Sequence, residues 1–441
     1  MGWEEDAMLK KLGVSSVDQL FEDVPAKVRT KGLDIPRGLS EQEVVRRVTA
    51  ILAQNRSMAA MPTFLGAGLY DHFVPASVRA ITSRSEFYTA YTPYQAELSQ
   101  GILQALFEYQ SLVAELTGLD VANTSVYDGS TALGEAALMA MRVTGKTEIV
   151  VPRAMHWERK QVLRTYVAGA GMRVREVPWE ERTGLLDLTA VRETVSENTA
   201  AVYFENPSFF GPFEERVDEI RGLTQGLLIV GVNPLALAVT KAPGDYGADI
   251  VVGEGQPLGN AVNFGGPLLG IFACRVEHVR KAPGRIIGVT KDAKGHRAFC
   301  MTLTTREQHI RREKAMSNIC TNETLLAVAA VAYAAVLGGN GLKRVAAANI
   351  NGARRLMERI HRVPGFTAPF LDDPHFNEFV VRSKEEYGDV SRALLQRGVH
   401  GGLPLVKHFP ELGQSALFAT TEVHTDEDQD RLVAALEAMS R

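Results

Sequence analysis

The sequence predicts an α/β protein in which a mostly parallel sheet is covered by helices on both faces. Short β-branched runs recur, and their starts lie about 19 to 28 residues apart. Helix-like segments, such as residues 155–168 and 214–223, lie between several of them. A repeat of strand, crossover helix and strand is typical of parallel sheets. The predicted strands lie at residues 149–151, 173–177, 201–204, 228–230, 250–252 and 269–273.

Further helices and strands are predicted before and after these strands along the chain. Ser40 and Glu43 have the spacing of a capping box, so a helix is expected after residue 40. An amphipathic helix is expected over residues 96–119, and the apolar stretch 325–337 should be a buried helix, since it is shorter than the roughly 20 residues that span a bilayer. Strands at 378–381 and 416–419 and a helix opened by Thr425 complete a smaller α+β domain. We therefore predict a helical N-terminal extension (1–62), a large α/β domain (63–315) and a C-terminal α+β domain (316–441).

Composition excludes several classes of function. The 441 residues are 45% hydrophobic and 23% charged, with a formal net charge of -4, so the chain lacks the basic field that nucleic-acid binding requires. The three cysteines lie far apart, which fits neither a disulfide framework nor a zinc site, and no His-Glu-x-x-His motif occurs. The acidic N-terminus shows no export signal. We expect a cytoplasmic protein with reduced, mostly buried thiols and without a metal, nucleic-acid or membrane partner.

A large α/β domain followed by a small α+β domain is the plan of the aminotransferase-like, fold type I pyridoxal-phosphate enzymes, in which the large sheet has seven strands. Such a site needs a lysine at a strand end to form the imine. The lysine should follow the strand 250–252, but no lysine lies between Lys241 and Lys281. Gln256 stands at the degenerate lysine position.

The other two cofactor anchors are also missing or altered. An acid should meet the pyridine nitrogen after the strand 228–230, but residues 231–234 read GVNP. The phosphate should lie at the helix N-terminus after residue 128, where Asp128 would cap the helix and repel a dianion. The chain alone is therefore expected to bind no cofactor covalently.

Four segments closely resemble the glycine cleavage system P-protein family, the glycine dehydrogenases (decarboxylating). The similarity extends from about Phe21 into the C-terminal domain, and the length resembles that of subunit 1 of the two-subunit form, which corresponds to the N-terminal half. The segments are residues 91–101 (YTPYQAELSQG), 117–123 (TGLDVAN), 283–288 (PGRIIG) and 304–321 (TTREQHIRREKAMSNICT).

The resemblance implies an activity that needs a second chain. In that family the enzyme condenses pyridoxal phosphate with glycine, releases CO2 and passes the aminomethyl group to the lipoyl group of H-protein, which is a co-substrate. The imine lysine would belong to subunit 2, in an α2β2 heterotetramer. This chain would then be an aminomethyl-transferring glycine dehydrogenase only within that complex, and no residue on this chain alone would be catalytic.

Two groups of residues are candidates for lining a shared active site or a lipoyl channel. The segment 64–70 (FLGAGLY) resembles a glycine-flanked family motif, in which Gly66 and Gly68 would allow a close backbone approach beside Tyr70. A purely structural loop is the alternative. Tyr91, Tyr94 and Gln95 precede the long helix, where loop residues can reach across an interface. Simple interface packing is the alternative for these three.

Two further features have plain structural interpretations. His156 follows the strand 149–151 in the place where a ring could stack on a cofactor, and a solvated or hydrogen-bonded loop histidine is the favoured interpretation here. Arg306, Arg311, Arg312 and Lys314 form a basic run on a predicted helix. That run is expected to be a solvated face, with pairing to an acidic partner such as H-protein as the alternative.

Two other functions remain open at the level of sequence. One is an autonomous pyridoxal-phosphate transaminase or lyase that uses a displaced lysine, such as Lys241 or Lys291. The other is a non-catalytic homodimer that binds glycine or a related ligand.

Overall fold

A seven-stranded sheet is the centre of the larger part of the chain. The computed structural model describes residues 2–30, 32–58, 60–264 and 266–440, which divide into two units, residues 2–57 and 58–440. The strand order is β1-β7-β6-β5-β4-β2-β3, in which β6, β5, β4, β2 and β3 are parallel and β7 is antiparallel to both of its neighbours, β6 and β1. The predicted mostly parallel sheet is confirmed. Its strands are β1 (Val121–Ala122), β2 (Glu148–Pro152), β3 (Arg173–Val177), β4 (Thr199–Asn206), β5 (Leu227–Val232), β6 (Ile250–Glu254) and β7 (Gly270–Cys274).

Helices cover both faces of this sheet. Successive strand residues alternate between two cores: Val150 and Val202 contribute to one, and Val151 and Tyr203 to the other. The sequence showed continuous apolar runs because both faces are buried. The helices of this lobe are α3 (Ala76–Thr82), α4 (Ser85–Tyr88), α5 (Gln100–Thr117), α6 (Gly129–Thr144), α7 (Trp157–Ala168), α8 (Leu188–Thr194) and α9 (Val217–Gly222), preceded along the chain by α1 (Gly2–Leu12) and α2 (Glu41–Leu52) of the first unit.

The helix α5 shows how local sequence sets an element's limits. It ends at Gly118, whose φ of 65° is the left-handed conformation that favours glycine, as the sequence indicated. Its start is later than predicted, because residues 96–99 form turns rather than helix. The exposed residues before it therefore lie on irregular chain.

A hairpin and a short helix lead from the large sheet toward the C-terminal lobe. The hairpin consists of β8 (Ile286–Lys291) and β9 (Arg297–Thr302), followed by α10 (Gln308–Arg311). The prediction of one basic helix is wrong, because residues 304–314 form three separate short helices, α10 and a 3₁₀ helix on either side of it. The solvated-face prediction is also wrong for Arg306, which is buried and donates to the carbonyls of Ala282 and Gly284.

The long helix α11 (Thr324–His361) contains the apolar stretch that the sequence predicted to be buried. By length and composition alone, it is the one helix in the described residues that could cross a membrane. Core helices share that composition, and Ala327, Ala330 and Tyr333 are fully buried in the main core with α5. Gly338 interrupts the helix with a φ of 59°.

The C-terminal lobe is a small antiparallel sheet with two helices. The strand order is β10-β11-β13-β12, and Phe379, Val381 and Phe418 form its core with α12, α13 and the end of α11. Thr425 and Asp428 form a capping box that begins α13. The elements are β10 (Phe366–Thr367), β11 (Glu378–Ser383), α12 (Tyr387–Gln396), β12 (Leu403–Pro404), β13 (Ser415–Ala419) and α13 (Asp426–Glu437).

In its described residues the first unit contains the helices α1 and α2 and a short 3₁₀ helix, Val17–Phe21. The capping box of Ser40 and Glu43 begins α2, as predicted. The apolar side chains of Val44, Val48 and Ile51 on α2 are exposed. The division after Ser57 differs slightly from the predicted limit at residue 62. The cysteines also differ from expectation, since Cys274 is buried, Cys300 is half-buried and Cys320 is exposed.

Candidate functional site

A small cavity lies at the carboxyl ends of β4, β5 and β6, where open α/β sheets usually bind their ligands. It measures about 60 Å³, which is room for a few water molecules. A more open cleft of about 320 Å³ adjoins it and shares Gly68, Arg159 and Glu254. The side chains that carry most of the chemistry of the cavity are Tyr70, His156, Arg159, Glu205, Glu254 and Glu378.

An ion pair between α7 and β4 occupies one side of this cavity. Arg159 Nη1 donates to Glu205 Oε1 at 2.5 Å, and the hydroxyl of Tyr203 donates to the same oxygen at 2.8 Å. Burial alone would lower the pKa of Arg159, but the charges of Glu205 and Tyr203 outweigh it, so the net shift is upward. Burial raises the pKa of Tyr203 well above its usual value. Arg159 is therefore a fixed cation whose charge Glu205 neutralises.

A second pair joins the segment 66–70 to the C-terminal lobe. The hydroxyl of Tyr70 donates to Glu378 Oε2 at 2.7 Å, and the Ala67 N–H donates to Glu378 Oε1 at 2.5 Å. Burial raises the pKa of Glu378 to about 7, although both hydrogen bonds oppose the shift. Tyr70 is only 7% exposed. Its hydroxyl is thus directed into this chain's own cavity.

Gln256 anchors the same segment from the large lobe. Its Oε1 accepts from the Tyr70 N–H at 3.1 Å, and its Nε2 donates to the carbonyls of Tyr70 at 2.9 Å and Asn260 at 2.6 Å. The side chain is buried and uses its acceptor and its donors on backbone groups. Gln256, which the sequence predicts to stand at the degenerate lysine position, thus joins the segment 66–70 to the chain after β6 by hydrogen bonds.

The N-terminus of α6 is closed by two carboxylates. Asp128 accepts from the N–H groups of Ser130 and Thr131 at 2.8 and 2.9 Å, which confirms the predicted cap. Glu254 Oε2 accepts from the Gly129 N–H at 3.0 Å. A Cβ on Gly129 would lie 3.1 Å from the backbone of Gly253, so glycine allows this close approach. Burial raises the pKa of Glu254, while its hydrogen bonds from backbone N–H groups act in the opposite direction.

Pyridoxal phosphate does not fit these residues. The N–H groups that would hold its phosphate are bonded to Asp128 and Glu254, and a dianion there would meet like charge. The end of β5 offers Asn233, whose Oδ1 accepts from the Leu235 N–H, in place of an acid. Lys241 and Lys291 are exposed and do not line the cavity. His156 begins α7 and accepts from the Glu158 N–H at 3.1 Å, as a hydrogen-bonded loop histidine.

Tyr91, Tyr94 and Gln95 lie elsewhere, on the exposed irregular segment before α5. Tyr91 is 76% exposed and Tyr94 is 61% exposed. Arg285, which is buried, lies over the Tyr94 ring at 5.4 Å and donates to its hydroxyl at 3.2 Å. Arg285 is itself held by Asn322 and the carbonyl of Cys320. The two predicted groups of site residues are therefore separate, one internal and one on the surface.

Sequence reasoning missed the charged residues of the cavity, namely the half-buried Arg159 and the buried Glu205 and Glu378. Glu378 directly precedes the apolar run Phe379–Val381, and Glu205 ends the run of β4. A carboxylate beside a fully buried strand could have indicated these site residues, because an ionised group is rarely buried without a partner.

The fold and the altered site together define a fold type I, aminotransferase-like protein whose cofactor anchors are replaced. The model of the glycine cleavage system P-protein family matches residues 2–436, and the chain belongs to that family. The predicted family resemblance is thereby confirmed.

Similar proteins support this assignment over the full length. The chain is 51% identical to a protein of Thermococcus onnurineus and 50% identical to one of Pyrococcus abyssi, covering 98% of this chain and 97% of each relative. Both are named "Probable glycine dehydrogenase (decarboxylating) subunit 1".

Solved structures agree with the fold. A crystal structure of glycine decarboxylase (P-protein), in inhibitor-bound form, superposes with a TM-score of 0.91 at 40% identity, covering 99% of this chain and 98% of the other. A sphingosine-1-phosphate lyase of Burkholderia pseudomallei superposes with a TM-score of 0.67 at 15% identity, covering 94% of both chains, and shares the fold alone.

Proposed function

We propose that this chain is the subunit of a two-subunit glycine decarboxylase that carries no pyridoxal phosphate. A second chain, subunit 2, supplies the imine lysine and binds the cofactor. The complex decarboxylates glycine and transfers the aminomethyl group to the lipoyl group of H-protein. The proposal rests on one observation: the N–H groups at the α6 N-terminus are bonded to Asp128 and Glu254, and position 256 is a glutamine. Names of the relatives as subunit 1 support the same proposal.

The contribution of this chain to catalysis is proposed to come from its surface. Tyr91, Tyr94 and Gln95 are exposed on one irregular segment, and the exposed Tyr88 and Leu98 extend its apolar character. Exposed aromatic side chains of this kind are typical of protein interfaces. The buried Arg285 restrains the ring of Tyr94, so its position costs little entropy on binding. We assign these residues to the lining of the shared site or the lipoyl channel.

The internal cavity has a different proposed role. Gly66 allows the segment 66–70 to pass close to the C-terminal lobe, and Gly68 adopts a φ of 106° that favours glycine. Tyr70, Gln256 and Glu378 fix the segment there. These side chains hold the two lobes of this chain in register. A rigid subunit presents its surface residues in one arrangement, which favours the reaction in its partner.

The assembly and location remain parts of this proposal. We propose an α2β2 heterotetramer in the cytoplasm, with lipoylated H-protein as a transient partner. The naming of the relatives as subunit 1 supports the presence of a partner subunit. A permanent partner would cover the apolar side chains on the segment before α5.

Reconstitution tests the proposed function. Purified chain and purified subunit 2 are assayed separately and mixed, by exchange of labelled bicarbonate into glycine in the presence of lipoylated H-protein. We expect exchange only in the mixture, and none when the cofactor lysine of subunit 2 is replaced by alanine. Full exchange with subunit 2 alone would refute the proposal. A borohydride-trapped cofactor on this chain would refute it too, and would favour the autonomous enzyme.

A further inference from the structure

Glu254 makes more backbone contacts than a capping residue needs. Its Oε2 accepts from the Gly129 N–H at 3.0 Å, and its Oε1 accepts from the N–H groups of Gln256 at 3.0 Å and Leu269 at 2.9 Å. One buried carboxylate thus joins the first residue of α6, the turn after β6 and the residue before β7. Three convergent N–H donors form the kind of site that binds an anion, and here the Glu254 carboxylate occupies it.

Asp128 completes the same arrangement at the helix end. Its Oδ1 accepts from the Ser130 and Thr131 N–H groups, and its Oδ2 accepts from the Thr131 hydroxyl at 2.9 Å. The first three N–H groups of this 16-residue helix are therefore bonded to two carboxylates of the chain itself. The positive end of the helix dipole is neutralised from within.

We propose that Asp128 and Glu254 together form an internal anion lock that closes the α6 N-terminus to phosphate. The helix end keeps the donors of a phosphate site, namely the N–H groups of residues 129–131 and the hydroxyls of Ser130 and Thr131. The two carboxylates take those donors and repel an incoming dianion. Their removal converts the helix end into a site for inorganic phosphate. This inference concerns one anion site and stands whether or not the chain acts on glycine.

Three variants of the full chain separate the effects of the two carboxylates, and a fourth is the control. E254A removes one of them, and D128S replaces the other by a neutral residue that still caps a helix. The double variant E254A/D128S removes both carboxylates that bond the first three N–H groups of α6. E148Q is the matched control, because Glu148 is equally buried but bonds Ser196 and Arg175, away from α6.

Two measurements report binding of inorganic phosphate. One is the width of the 31P resonance of phosphate in the presence of protein, and the other is the thermal midpoint in phosphate against chloride at equal ionic strength. We expect the double variant to broaden the resonance several-fold and to gain about 2 °C in phosphate, by linkage between binding and folding. Wild type and E148Q should show neither effect, and the single variants should lie between.

Any of three other results would contradict the proposed anion lock. It is overturned if wild type already broadens the phosphate resonance, if the folded double variant behaves like wild type, or if E148Q responds as strongly as the double variant. Where E254A/D128S does not fold, E254L/D128S retains more of the side-chain volume without an acceptor oxygen and decides by the same two measurements. Reconstituted exchange activity is not a readout here, so failure of the lock and failure of the proposed function are distinguishable.

Discussion

The hydroxyl of Tyr70 lies 2.7 Å from Oε2 of Glu378 and connects the segment after residue 63 to the first residue of β11 in the C-terminal lobe. Both groups are buried, so the bond is removed from bulk water and borders only the small internal cavity. The Ala67 N–H completes the pair by donating to the other carboxylate oxygen. Contact between the two lobes thus depends on a carboxylate in an environment that disfavours its charge.

This contact predicts a pH dependence of stability. The pKa of Glu378 is raised by burial from 4.5 to about 7, so the folded state binds a proton that the unfolded state has released between these values. Its contribution to stability is complete below about pH 4.5 and is lost as the pH rises toward 7. Integrated over that window, the loss is about 3 kcal/mol of unfolding free energy.

Urea unfolding of wild type and E378Q at several pH values measures this slope. The difference in unfolding free energy between the two proteins should change by about 3 kcal/mol in the stated direction between pH 4.5 and pH 7. E385Q removes an exposed carboxylate nearby and should follow wild type. A constant difference between E378Q and wild type across the window contradicts the assignment.

The ion pair of Arg159 and Glu205 predicts a non-additive double-mutant cycle. R159M leaves the buried Glu205 carboxylate without its cation, which should cost about 2 to 4 kcal/mol of unfolding free energy. Adding E205Q removes the unpaired charge, so R159M/E205Q should be at least about 1 kcal/mol more stable than R159M. Denaturant midpoints of the four proteins measure the coupling, and strict additivity would show that the pair does not interact.

Gly66 predicts a steric effect at the lobe contact. An added Cβ would lie 2.7 Å from the Cβ of Ala419, so G66A must displace the segment and weaken the bond from Ala67 to Glu378. We expect a loss of about 2 kcal/mol or more of unfolding free energy. G101A, in open space near the start of α5, should be neutral or stabilising by up to about 0.5 kcal/mol. Equal thermal midpoints for G66A and wild type would contradict the close approach.

The sheet was predictable because its strands are buried on both faces and read as continuous apolar runs. Residues 250–252 needed no long-range information to be assigned as a strand, and Gly118 and the Ser40–Glu43 box marked helix limits by local chemistry alone. The start of α5 was misplaced, because amphipathic spacing continues through residues 96–99 while the chain there forms turns closed by local hydrogen bonds, from the Leu98 N–H to Gln95 and from the Ser99 N–H to Ala96. Local sequence patterns thus predicted the presence of helices and strands better than they predicted where each one begins.

The site was only half predictable. The missing lysine and acid could be read directly, because each depends on one position after a strand. The pairing of Tyr70 with Glu378 could not, since 308 residues separate them and nothing local specifies the partner. The sequence also did not show that Tyr70 is buried and Tyr94 exposed. Their opposite environments, one 7% and the other 61% exposed, follow from the packing of the whole chain.

Tyr94 predicts a loss of activity without a loss of stability. Its ring is 61% exposed, so Y94A should change the unfolding free energy of the isolated chain by less than about 0.5 kcal/mol. In the complex with subunit 2, the same variant should lower kcat/KM for H-protein-dependent exchange about tenfold or more, because a ring at the shared site contributes about 1.4 kcal/mol or more of binding. Exchange kinetics and thermal unfolding are measured on the same preparations.

Two further variants test where the effect of Tyr94 arises. Y94F keeps the ring under Arg285 but removes the hydroxyl that accepts from its guanidinium, so its activity should lie between those of wild type and Y94A. L395A trims an exposed apolar side chain on α12 and should retain wild-type kinetics. If Y94A forms a fully active complex, or if L395A loses as much activity as Y94A, the segment before α5 does not line the shared site.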